Sequence, residues 1–229
     1  MLGRGGGLSA FAALFVAAVM FFGCSTGQNK SVEHLFYSAV FTLDDSTSVT
    51  VLTEKIDGGL VVKNGEEEIF VKSQGEGCYS VPVFGGSWTG EWSGGVWAGV
   101  WVDSLRTNDY RVKLEVSPLE KPVPVMGEPT HSVWDTSLGK FKLTQRGDSA
   151  WATFMTSTGD YRYQAGKIDT TTNEFKLQNF DGVHLFYFEG VIKGDSITDG
   201  VFKSGIHYST SWSGVRAENE KVKWSSKQE

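Results

Sequence analysis

The stretch FDGVHLFYFEGVIKGDSITDGVFKS, Phe180 to Ser204, carries two short apolar runs on either side of the polar break KGDS. Neither run keeps the 3.6-residue period of a helix, and both are short enough and rich enough in aromatic and β-branched residues to be strands. Strand alternation sends His184, Phe186 and Phe188 to one face and Val183, Leu185 and Tyr187 to the other. Both faces are largely apolar, which predicts a strand buried twice: once in a barrel interior, and once against the other half of the molecule or a neighbour. Gly190 and Gly200 lie within these runs, where glycine permits the bulges and sharp coiling that let a sheet close on itself and lose its edges.

The same texture extends in both directions. From residue 31 onward Gly, Asn, Asp and Ser clusters recur about every 8 to 12 residues between short alternating runs, the spacing of antiparallel all-β structure. Sixteen candidate strands result, from LFYSAVFTL to DYRVKLEV and from SVWDT to STSWSGVRA, with two or three expected to be spurious. Pro118, Pro122, Pro124 and Pro129 fall in SPLEKPVPVMGEPT and predict a linker over 117–130. It separates a first β half, 32–116, from a second, 131–218, which is followed by a polar tail at 219–229. The halves look alike: VPVFGG then GGVWAGVW matches LQNFDG then DSITDGVF, so that Phe84 corresponds to Phe180, Gly99 to Gly200 and Trp101 to Phe202. The fold class expected is all-β, an antiparallel up-and-down meander in two tandem similar halves forming barrel-like or sandwich-like sheets. By architecture alone this is similar to the small barrels of the calycin group.

The first 23 residues read as a signal peptide, with one positive charge at Arg4 and an apolar run from Leu8 to Gly23. The Gly23-Cys24 junction resembles a lipobox, although Phe21 and Phe22 depart from its usual leucine and small residue; the alternatives are an ordinary cleaved signal or an uncleaved anchor. The resemblance implies acylation of Cys24, a tether over 24–31, and an envelope location on the periplasmic face or the outer membrane. The membrane is then a partner through the N-terminal lipid. The chain has two cysteines and no CxxC pair, which excludes the usual two-cysteine thiol exchange. With 27 acidic against 21 basic residues it has no electrostatic footprint for nucleic acid.

TSTGDYRYQAGKI, EFKLQNFDGVHLFYFEGVI and DGVFKSGIHY, in that order, resemble the β-rich region that precedes the thioredoxin-like domain in TlpA-type envelope lipoproteins of the Bacteroidota. The resemblance spans roughly residues 33 to 217 and is strongest in the second half. In that family the redox chemistry belongs to a CxxC in the following domain, which this sequence does not contain. The resemblance therefore implies an accessory or binding module without catalytic residues, with an envelope protein as partner, a redox protein among the candidates.

Two residue sets stand out. Asp160, Arg162, Asp181, His184 and His207 form either a buried network that fixes strand register, with His184 held by Asp160, Arg162 or Asp181, or a ligand cluster at a barrel mouth. Trp88, Trp92, Trp97 and Trp101 form either a stacking platform or a block of core. His34, His131, His184 and His207 show no metal-ligand spacing, and no cofactor is expected. Cys78, between Gly77 and Tyr79, reads as a small core residue. Two further functions stay open beside the accessory module, a calycin-like small-molecule carrier and a hydrolase whose carboxylates come from distant strands.

Overall fold

In a computed structural model the structure describes residues 35–217, apart from 45, 66, 83–84, 104–110, 123–124 and 156–160, and for Tyr161 and Arg162 the backbone only. Cys24, Phe84 and Asp160, and the side chain of Arg162, thus lie outside the described set. The first half contains β1 (Phe36–Thr42), β2 (Ser48–Ile56), β3 (Gly59–Asn64), β4 (Glu67–Gly75), β5 (Cys78–Ser80), β6 (Ser87–Ser93), β7 (Val96–Val102) and β8 (Arg111–Leu119). The second contains β9 (Thr130–Thr136), β10 (Gly139–Arg146), β11 (Ser149–Met155), β12 (Tyr161–Ile168), β13 (Glu174–Phe180), β14 (Leu185–Lys193), β15 (Ser196–Ser204) and β16 (Tyr208–Arg216). Each set closes into an antiparallel barrel in which strands pair in chain order and the last meets the first.

All sixteen candidate runs are strands, so the expected surplus of two or three does not exist. Even the shortest, β5, is held on both sides by β4 and β6. The linker is shorter than 117–130, because β8 continues through Ser117, Pro118 and Leu119 beside β1. A proline is tolerated there because pairing with β7 on the other side ends at Val116. Along β8, Val112, Leu114 and Val116 are buried while Arg111, Lys113 and Glu115 face water. A charged outside around an aromatic inside is the reverse of a membrane-spanning barrel.

As an eight-stranded barrel allows, aromatic side chains fill both interiors, the second from its own strands and the first from its own strands together with Phe180 of β13. The first packs Phe41, Trp88, Trp97 and Trp101, and the second Trp134, Phe141, Phe154, Phe175, Phe188 and Trp212. β14 serves both: Phe186 and Phe188 point into the second core, while Leu185 and Tyr187 join the first. Glycines at matching places let strands approach. A methyl on Gly99 would strike the Thr89 carbonyl and Gly90, and one on Gly200 would strike the Trp212 carbonyl and indole. These two residues occupy the seventh strands of their barrels, as the sequence correspondence requires.

Candidate functional site: the seam between the barrels

The barrels meet through the end at which β1, β3, β5 and β7 finish in the first, and the end at which β13 and β15 finish in the second. Three consecutive residues closing β13 make the junction. Gln178 lies where β2 has lost its β3 partner, since that pairing starts only at Leu52–Lys63, and its side-chain oxygen accepts the Thr50 N–H. Asn179 lies just past the last β12–β13 pair, Ala165–Gln178; its amide donates to the Tyr163 carbonyl in place of a ladder bond, and also to Glu67 at 3.3 Å. Phe180 enters the first barrel, stacked on Phe41 at 4.8 Å and edge-on to Trp101 at 5.4 Å.

The backbone of Phe180 is held as firmly as its ring. Asn64, fully buried at the end of β3, donates from Nδ2 to the Phe180 carbonyl at 2.9 Å and accepts the Phe180 N–H at 3.3 Å. One side-chain amide thus imitates a strand partner, satisfying two backbone groups where burial would otherwise cost about 1 to 3 kcal/mol for each.

The loop that follows belongs to Asp181 and His184. Asp181 accepts the N–H groups of Val183 and His184 at 2.9 and 2.6 Å, and the His184 ring lies 3.1 Å from its second oxygen. Burial alone would raise the Asp181 carboxyl, but the His184 contact and the two backbone donors outweigh it and hold it below the usual carboxylate value. The His184 ring stacks on Phe186 at 5.4 Å. His207 lies exposed in the turn from β15 to β16. Of the five polar candidates, then, the structure brings Asp181 and His184 together. They organise a loop at the seam.

Across the seam, Lys203 at the end of β15 reaches Asp44 at 2.7 Å and Thr47 at 2.6 Å, and this hydrogen bond keeps the Asp44 carboxyl far below its ordinary value. Beside the junction an outer groove of about 410 Å³ is lined by Val51, Leu52, Lys63, Ala165, Gly166 and Gln178, among others. Glu68 and Glu54, 2.6 and 3.0 Å from the Lys63 amine, raise its pKa. Trp88, Trp97 and Trp101 are fully buried in the first core. Of the four indoles only Trp92 reaches the surface, with its N–H on the Tyr79 hydroxyl at 3.0 Å. Cys78 is partly buried and carries a free thiol. Among the described residues no three His, Cys, Asp or Glu side chains gather as metal ligands.

Asn64, Gln178, Asn179 and Lys203 were not singled out from sequence, yet a signal existed. Asn64 ends the inward series Leu60, Val62, Asn64, and Asn179 ends Phe175, Leu177, Asn179. A carboxamide at a position whose period-2 neighbours are all buried must find a partner elsewhere.

Compared with known protein families, curated proteins and solved structures, the chain matches none.

Proposed function

We propose that the chain is a lipid-anchored, non-catalytic module of the cell envelope that works by contact with another envelope protein, as its resemblance to the β region of TlpA-type lipoproteins implies. The observation that carries this reading is that both barrel interiors are occupied by packed aromatic side chains of the protein itself, whereas the seam groove lies on the outside. A calycin-like carrier needs an apolar chamber for its cargo. In this protein the corresponding space in the first barrel holds Trp88, Trp97, Trp101 and Phe180. The groove, with Lys63 set between two glutamates and an apolar wall from β2 and β12, offers a mixed surface of the kind used in protein contacts.

The test is site-specific photocrosslinking in envelopes, with a photoreactive residue in place of Lys63 or Gln178 and, as control, in place of Val215. A discrete adduct with one envelope protein, a thioredoxin-like protein among the candidates, is expected from the groove positions and not from the control. Saturable one-to-one uptake of a fatty acid or apolar dye, with no adduct from either groove position, would replace this reading with the carrier.

A further inference from the structure

The far end of the first barrel, where β2, β4 and β6 finish and β1 begins, is unlike the rest of the surface. Four of the eight large apolar side chains exposed among the described residues gather there: Leu35 at 56% exposure, and Ile56, Trp92 and Leu119 at 40% each. They surround the point where the chain enters the barrel. The Leu35 carbonyl accepts the Lys55 N–H at 2.7 Å, Phe36 pairs with Leu119, and Trp92 lies edge-on to Tyr37 at 5.6 Å. Trp92 also has a polar attachment through Tyr79. An indole with one face wet and an aliphatic collar around it is the side-chain set found at membrane interfaces.

We propose that this end of the first barrel rests on the lipid bilayer surface, inserting Leu35, Ile56, Trp92 and Leu119 among the headgroups. The inference rests on the proposed acylation of Cys24. Ten residues, 25–34, separate that cysteine from Leu35. Ten residues can reach no further than about 35 Å. The short tether therefore keeps the entry end nearest to the membrane. The exposed charges at this end, Lys55, Lys72 and Lys121 against Asp57, Glu76, Glu91 and Glu120, nearly cancel. Attraction to anionic lipid is thus excluded as the driving force, and apolar insertion remains. Insertion works equally on zwitterionic lipid and does not weaken with salt.

The full chain, in a Cys78→Ser background, is labelled with bimane at Leu119→Cys, at Ile56→Cys or, as control on the second barrel, at Val215→Cys. It is then mixed with phosphatidylcholine vesicles carrying a shallow doxyl-labelled lipid. Interfacial side chains sit about 5 to 10 Å deep, within reach of that quencher, so about threefold quenching is expected at the first two positions, little at the third, and no change with added salt. Mass spectrometry of the same sample reports whether Cys24 is acylated, and where it is not, Cys24→Ser is added so that bimane meets a single thiol. Equal quenching at all three positions, or none at Leu119→Cys and Ile56→Cys on a chain that sediments with the vesicles, would overturn the surface. Quenching at those two positions on an unacylated chain keeps the surface and removes only the anchor. An unacylated chain with no quenching removes both.

Discussion

In the first barrel β1 and β8 close the cylinder along their whole length, Phe36–Thr42 against Lys113–Leu119, whereas in the second the β16–β9 ladder is shorter, Gly214–Arg216 against Trp134–Thr136, extended by one backbone bond at each end, from Ser137 to Ser213 and from Ala217 to Val133. The cores show the opposite pattern. The second is filled from its own strands, while the first takes in Phe180, Leu185 and Tyr187 from its neighbour. Backbone closure and core completeness are therefore separate properties, and each barrel is strong in one and weak in the other. The seam repairs the first barrel's deficit, so the pair should unfold as one cooperative unit.

The largest expected effect comes from removing the borrowed ring. Phe180→Ala leaves a hole among Phe41, Trp88 and Trp101 and should destabilise the whole chain by about 3 to 5 kcal/mol, the usual range for a buried phenylalanine. Denaturant unfolding followed by tryptophan fluorescence measures it. The residue lies in the second barrel's sequence and the buried reporters Trp88, Trp97 and Trp101 in the first. A loss below about 1 kcal/mol would mean that the first core does not depend on its neighbour.

Next comes Asn64→Ala, which frees the Phe180 N–H and carbonyl together. With two buried groups unpaired the expected cost is about 2 to 4 kcal/mol. Asn64→Asp restores the acceptor but not the donor. Hydrogen exchange at Phe180 then sharpens the comparison: its amide should be protected in the parent and in Asn64→Asp, and exposed in Asn64→Ala. Protection that survives in Asn64→Ala would show that packing alone holds the corner.

These residues mark the limit of what the sequence discloses. Alternation along β8 or β14 is a local property, so strand identity, inward faces and the doubly buried character of Leu185–Phe188 can be read from the text. The kinship of Gly99 and Gly200 is legible for the same reason, since both answer to a strand crowding an adjacent one. Partnership across 116 residues, as between Asn64 and Phe180, leaves no local trace beyond a polar residue at an inward position. Pro118 misled as to the linker because its tolerance depends on where β7 stops pairing. The four tryptophans show alternation but not depth: a residue beside a turn, such as Trp92, points inward and still meets water at the barrel's end.

Asp181→Asn tests the loop that carries the corner. Burial raises the carboxyl, the His184 ring and two backbone donors lower it, and the net folded value lies below the ordinary one. Its stabilisation is therefore complete above the unfolded-state value of about 4 and fades as pH falls through the lower folded value. The asparagine variant should be less stable than the parent by about 1 to 2 kcal/mol at neutral pH, with the two curves converging in acid. A constant gap down to the lowest pH would show that shape, not charge, is what Asp181 supplies.

The smallest effect belongs to the ion pair across the seam. Lys203 is mostly covered while Asp44 stands half in water, so their attraction is screened and the pairing is worth much less than Phe180 or Asn64. Lys203→Met keeps the stem that packs at the end of β15 and removes the charge. Its unfolding midpoint should fall slightly at low salt and coincide with the parent at high salt. The same ammonium also donates to the Thr47 hydroxyl, a neutral partner, and salt weakens that contact less than the ion pair. If the difference persists at high salt, the hydroxyl contact is what Lys203 contributes to the seam. If it disappears, the pair acts through charge and sets orientation between the barrels rather than the strength of their union.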